Sequence, residues 1–177
     1  DGVASLMTFF AGLLPSGAIS LDRSRNFVGG AAPFYRCYVC ADGKEIAVGA
    51  IEPKFYVELL ARVGVADSMP GDQHDVSAWP ERCTRLAALF AHKTRDEWCA
   101  LLEGSDACFA PVLTLEESPR HPHMRERGVY VEHNGLQHVN AAPRFSRTPG
   151  AIVEAPPAEE LLKRWLSAPG VRHVSQE

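Results

Sequence analysis

The sequence predicts an α+β fold in which antiparallel hairpins pack with amphipathic helices. Three observations lead there. Two strand-like pairs flank the turn dipeptides Asp42-Gly43 and Asn134-Gly135, and such dipeptides tolerate the positive φ that a tight hairpin needs. Several stretches repeat apolar residues at helical spacing. Helix-start signals stand in front of those stretches, at Pro53, at Pro80 and in Thr94-Arg-Asp-Glu97.

The elements follow in chain order. Residues 3–14 are almost wholly apolar and predict a buried helix that stops near Pro15 and Gly17. The run is well short of the roughly 20 residues of a membrane span. No basic flank precedes it, which argues against a signal peptide. Gly, Pro, Ser and Ala then dominate 15–33, the composition of a connector. Residues 34–40 and 45–51 form the first hairpin, with Ile46, Val48 and Ala50 on one face and Glu45 and Ala47 on the other.

Glu52-Pro53 opens a helix, since proline at the first helical position forfeits no hydrogen bond. Phe55, Leu59, Leu60 and Val63 make its apolar stripe, and Gly64 supplies a left-handed cap. A polar loop spans 67–75. Ser77 is the expected N-cap of the next helix, with Pro80 in its first turn and Cys83, Leu86, Ala87 and Phe90 on its apolar face. Thr94 and Glu97 form a capping box ahead of Trp98, Leu101 and Leu102, and Gly104 ends that helix. Pro111 makes 108–113 an edge strand. The second hairpin pairs 129–132 with 136–139. A proline-bearing connection, 142–157, leads to a last helix at 157–166 that buries Leu161, Leu162, Trp165 and Leu166 against a partner surface.

Composition excludes several classes. The 177 residues are 46% apolar and 23% charged, which fits neither a disordered tail, a collagen-like fibre nor a disulfide miniprotein. A net charge of −4 leaves no basic surplus for nucleic acid or an anionic membrane. The five cysteines are odd in number and irregularly spaced, which predicts free thiols in a reducing cytoplasm. Cys37 and Cys40 lie three apart on a strand, so they point to opposite faces and do not chelate one ion. His121-Pro-His123 reads as a turn, and no metal site is predicted there. No phosphate loop, Gly-x-Gly-x-x-Gly or Gly-x-Ser-x-Gly motif occurs. Glu81 stands in the first turn of a helix, where the macrodipole favours its ionised form. A carboxylate held there suits a general base or a partner that orients a histidine, and it equally suits plain helix stabilisation.

Gly-Gly-Ala-Ala-Pro-Phe-Tyr at 29–35, Ala-Val-Gly-Ala-Ile-Glu-Pro-Lys-Phe-Tyr at 47–56, Trp-Pro-Glu at 79–81 and Ser-Asp-Ala-Cys at 105–108 occur in order. Pro-Val-Leu at 111–113, Glu-Arg-Gly at 126–128 and Pro-Arg-Phe-Ser at 143–146 complete the series. Together they resemble the alpha-methylacyl-CoA racemases of the family III CoA-transferase superfamily. The resemblance implies that 32–146 is a small α+β domain. It makes 1–31 the helix and linker leaving a Rossmann-like large domain that is absent here, and 147–177 the return to it. The start at Asp1 rather than methionine fits a piece of a longer chain.

The implied reaction epimerises the α carbon of a 2-methylacyl-CoA thioester through an enolate. In the family a histidine, oriented by a glutamate, and an aspartate handle the proton from opposite faces. The resemblance assigns the glutamate to Trp-Pro-Glu, hence to Glu81, which would act in the partner chain of an interlocked homodimer. None of the seven histidines matches the catalytic one, and Asp1 matches a position beyond the catalytic aspartate. The segment alone is therefore expected to be inactive. The implied partner is an acyl-CoA substrate, CoA being part of the substrate and no separate cofactor being required. The competing readings are a family III CoA transferase working through an aspartyl thioester, and a noncatalytic dimerisation module.

Overall fold

The computed structural model describes residues 1–167; the end of the expected return segment, 168–177, lies outside them. The chain forms two compact units, Asp1–Thr114 and Leu115–Glu177.

The first unit opens with α1 (Gly2–Leu13). None of its residues is buried, and Phe9 is 69% exposed; the helix is apolar enough to be buried, and its exposure agrees with the reading that its cover lies outside this segment. A helix apolar on all sides needs cover on all sides, and the first unit supplies none. Two 3-10 turns, Arg23–Arg25 and Phe27–Gly29, carry the connector to Gly30, whose φ of 84° is left-handed. The first hairpin follows as β1 (Tyr35–Val39) and β2 (Glu45–Gly49), turning at Gly43 with φ 75°. A third strand, β3 (Phe109–Pro111), pairs antiparallel with β2, so the sheet order is β1-β2-β3 and β3 is an edge as expected.

Cys37 stands opposite Ala47, and Ala47 opposite Ala110. That register puts Tyr38, Ile46 and Val48 on the core face and leaves small residues on the other. Cys37 is exposed and Cys40 buried, as opposite faces require. The core is closed by α2 (Pro53–Arg62), α3 (Trp79–Phe90) and α4 (Arg95–Leu102). Phe34, Ile46, Leu59, Leu86, Phe90, Trp98 and Leu102 are fully buried among these elements.

Ser77 is not the cap of α3. Asp75 caps a preceding 3-10 turn (Val76–Ala78), accepting from the backbone N–H of Ser77 at 3.0 Å and from its hydroxyl at 2.6 Å. That turn runs straight into α3, so Ser77 is a hydroxyl donor inside it. The loop at 67–75 is not merely polar either, since Met69 and Gln73 are buried. Ala87 and Leu101 face solvent instead of the core.

The capping box at α4 forms as expected. Thr94 Oγ1 accepts from Glu97 N–H at 3.3 Å, and Glu97 Oε2 accepts from Thr94 N–H and Oγ1–H at 2.8 Å each. These bonds hold the Glu97 carboxyl below its ordinary value, the backbone bond first and the hydroxyl bond second. Thr94→Ala should lower stability by about 1 kcal/mol, read by chemical denaturation. Because the folded pKa is depressed, the Glu97 contribution is complete above the unfolded value and fades as pH falls through the folded one. The gap between wild type and Thr94→Ala should therefore narrow in acid.

The second unit contains a 3-10 turn (Ser118–Arg120), α5 (Pro122–Glu126), β4 (Tyr130–His133), β5 (Leu136–Val139) and α6 (Ala158–Ser167). Asn134 and Gly135 have φ of 52° and 74°, the mirror-image turn expected between paired strands. Pro122 opens α5 between the two histidines. None of the residues of α6 is buried, which agrees with the expectation that Leu161, Leu162, Trp165 and Leu166 need a partner surface for their cover. Trp165 is 63% exposed. The amphipathic stripe is present; a surface to bury it is not.

Candidate active-site surface

Three of the family-like motifs meet at one buried ring. Phe34 packs edge-to-face on Tyr56 at 5.6 Å and on His74 and Trp79 at 5.8 Å each. Trp79 Nε1 donates to the Gln73 carbonyl at 2.9 Å. Gln73 in turn donates through Nε2 to the carbonyls of Ala50 and Ile51 at 3.0 and 2.8 Å. Segments 29–35, 47–56 and 79–81 thus form one hydrogen-bonded, close-packed block, and two carboxylates project from its ends.

Glu81 is the first. It lies in the first turn of α3, and its side chain is 69% exposed. Its Oε1 accepts from Arg85 Nη2 at 2.6 Å, one turn along the same helix. Arg85 is tied in addition to the Ser68 carbonyl at 2.7 Å. The neighbouring Arg82 is buried and donates to the carbonyls of Asp72 and Pro70 at 2.6 and 2.8 Å, which fixes the loop beside the helix start. Glu81 is therefore rigidly based, solvent-facing and charge-paired.

Glu52 is the second, and sequence reasoning treated it only as the opening of a helix. It is the N-cap of α2, with extended φ −73° and ψ 138°, yet its side chain caps nothing. It is exposed, and among the described residues its carboxylate has no hydrogen bond or ion pair. Its backbone is held firmly: its carbonyl accepts from Phe55 and Tyr56, and the preceding Ile51 is clamped by Gln73. The charge of Glu52, with that of Asp106, adds to burial in pushing the Cys108 thiol up, burial being the larger cause. The available signal was its place inside the 47–56 run.

Cys108 lines an apolar groove. Its φ is 50°, uncommon for a residue with a side chain, and its carbonyl accepts from Gly49 N–H at 2.8 Å. The groove, about 730 Å³, lies on the coreless face of the sheet. Tyr35, Cys37, Ala47, Gly49 and Cys108 line it, with Val28 at one side. Small side chains at 47 and 49 leave the space, and pockets of this character take apolar ligands or faces. Among the described residues no three His, Cys, Asp or Glu gather as a metal site.

The CoA-transferase family III profile matches residues 4–160. The alpha-methylacyl-CoA racemase of Mus musculus is 42% identical over 150 residues, covering 84% of this chain and 39% of the relative. That of Homo sapiens is 38% identical over 160 residues, covering 84% and 42%. The chain thus spans about two-fifths of the length of the curated relatives it matches. A crystal structure of the Mycobacterium tuberculosis protein Rv3272 superposes with a TM-score of 0.58 at 18% identity, over 80% of this chain and 39% of that one, and shares the fold. On the extent of the profile match, this chain belongs to CoA-transferase family III.

Proposed function

We propose that the chain is part of an acyl-CoA racemase that inverts the α carbon of 2-methylacyl-CoA thioesters through an enolate. The observation that carries this reading is the likeness over 150 residues, 42% identical, to a protein named alpha-methylacyl-CoA racemase, in a chain that presents an unpaired carboxylate, Glu52, and an apolar groove. In this reading 32–146 is the small domain, flanked by segments 1–31 and 147–177 that pack on a larger domain. The exposed apolar residues of α1 and α6 support such packing and a homodimer. Five free cysteines support a cytoplasmic setting. No helix among the described residues is long and apolar enough to cross a membrane.

The reaction needs a base on one face of the α carbon and an acid on the other, supplied in this reading by a histidine and an aspartate of the larger domain. CoA enters as part of the substrate. This segment contributes the wall that excludes water and a carboxylate that orients the histidine and stabilises its imidazolium form. Family resemblance nominates Glu81. Arg85 already pairs the Glu81 carboxylate, whereas Glu52 has no side-chain partner among the described residues, and this favours Glu52 for the role.

The test is exchange of the α-proton of a 2-methylacyl-CoA with deuterated solvent. The complete enzyme should exchange it without an acceptor acid, and the 177-residue chain alone should not. Dependence on an acceptor acid would replace the racemase with a CoA transferase. Exchange by the isolated chain would place the whole proton machinery within it.

A further inference from the structure

The second unit holds a pocket of about 410 Å³ whose wall carries Arg125, Arg127 and Arg144 with Asn140, against a single carboxylate, Glu126. This is a local surplus of positive charge in a chain whose net charge is −4. Arg125 lies on α5 and Arg127 is its C-cap, while Asn140 and Arg144 arrive from beyond β5. Asn140 Nδ2 and Arg144 Nη2 both donate to the Gly128 carbonyl at 3.0 Å. The segment after β5 is thereby clamped at two residues to the turn after α5, and the pocket has a fixed frame.

Among the described residues, the guanidinium groups of Arg125 and Arg127 have no ion pair or hydrogen bond. Guanidinium stays charged at all relevant pH and offers a planar fork of donors. Three of them around one small pocket repel one another unless an anion joins them. The lining carries three positive charges and one negative, a surplus that a doubly charged oxyanion balances and a single carboxylate does not. Tetrahedral phosphate oxygens also accept the forks in bidentate fashion.

We infer that this pocket binds a phosphate group, either inorganic phosphate or the terminal group of a phosphate monoester. The site lies wholly within the second unit and does not depend on the racemase reading. Isothermal titration of the full chain at low salt, with inorganic phosphate and separately with adenosine 3′,5′-bisphosphate, tests it. Saturable binding is expected, weakened about tenfold or more in Arg125→Gln/Arg127→Gln, as loss of charge-assisted hydrogen bonds requires. Arg62→Gln, which removes an arginine paired with Glu58 on α2, should leave it unchanged. Tighter binding of the bisphosphate identifies a monoester as the ligand; equal binding identifies free phosphate. Absence of saturable heat from both probes, or unchanged affinity in the folded double variant, overturns the inference. Should the double variant unfold, Arg125→Gln alone, an exposed side chain, gives the same reading.

Discussion

On the racemase reading, Glu52→Gln in the full-length protein should lower α-proton exchange by about 10²–10⁴-fold, the effect of removing a carboxylate that orients an acid–base histidine. The substitution keeps the shape and removes the charge. It breaks no hydrogen bond or ion pair within the described residues, so circular dichroism and denaturation midpoint should match wild type. Glu81→Gln, by the same geometry, should cost far less. The Glu81 carboxylate is already compensated by Arg85 at 2.6 Å, and a surface pair of that kind contributes about 0–1 kcal/mol. The opposite pattern, collapse at Glu81 and wild-type exchange at Glu52, would assign the orienting role to Glu81 and leave Glu52 as a helix opener. Wild-type exchange in both variants would remove this segment from the proton chemistry altogether.

The ambiguity between the two glutamates shows what was legible in the sequence. Both flank a proline at a helix start and both lie in family-like motifs, yet sequence reasoning singled out Glu81 alone. One discriminating clue was readable: Glu81 and Arg85 are four residues apart, the spacing at which helix side chains pair. The other clue was not, because whether the Glu52 carboxylate finds a partner is decided only by the folded arrangement of segments far apart in sequence. Hairpins were legible because Asp42-Gly43 and Asn134-Gly135 carry their turns locally, as was the Thr94 capping box. Ser77 was misplaced because Asp75 is an equally good cap two residues earlier, and only the 3-10 turn decides between them. Apolar stripes on α1 and α6 announced a need for cover, and their exposure agrees with the reading that the cover lies outside this segment.

Phe34→Ala should destabilise the first unit by about 3–5 kcal/mol, the range for removing a buried aromatic ring. The ring is fully buried, and its edge-to-face contacts reach Tyr56 on α2, His74 in the loop and Trp79 at the start of α3. A cavity there loosens three elements at once, because no other ring touches all of these partners among the described residues. Phe34→Leu should cost clearly less: it restores most of the apolar volume and forfeits mainly the aromatic pairings, at about 0.5–1.5 kcal/mol each. Urea unfolding followed by tryptophan fluorescence reads both, with Trp79 and Trp98 reporting from within the core. A loss below about 1 kcal/mol for the alanine variant would contradict the hub, since a collapsible site costs least and a shared one most. The consequence reaches the chemistry. Gln73 grips Ala50 and Ile51 on one side and receives Trp79 on the other, so slack at Phe34 passes to the backbone beneath Glu52. In the complete enzyme Phe34→Leu should therefore reduce exchange more than its modest stability loss accounts for, while a variant of equal stability loss at Thr94 should not.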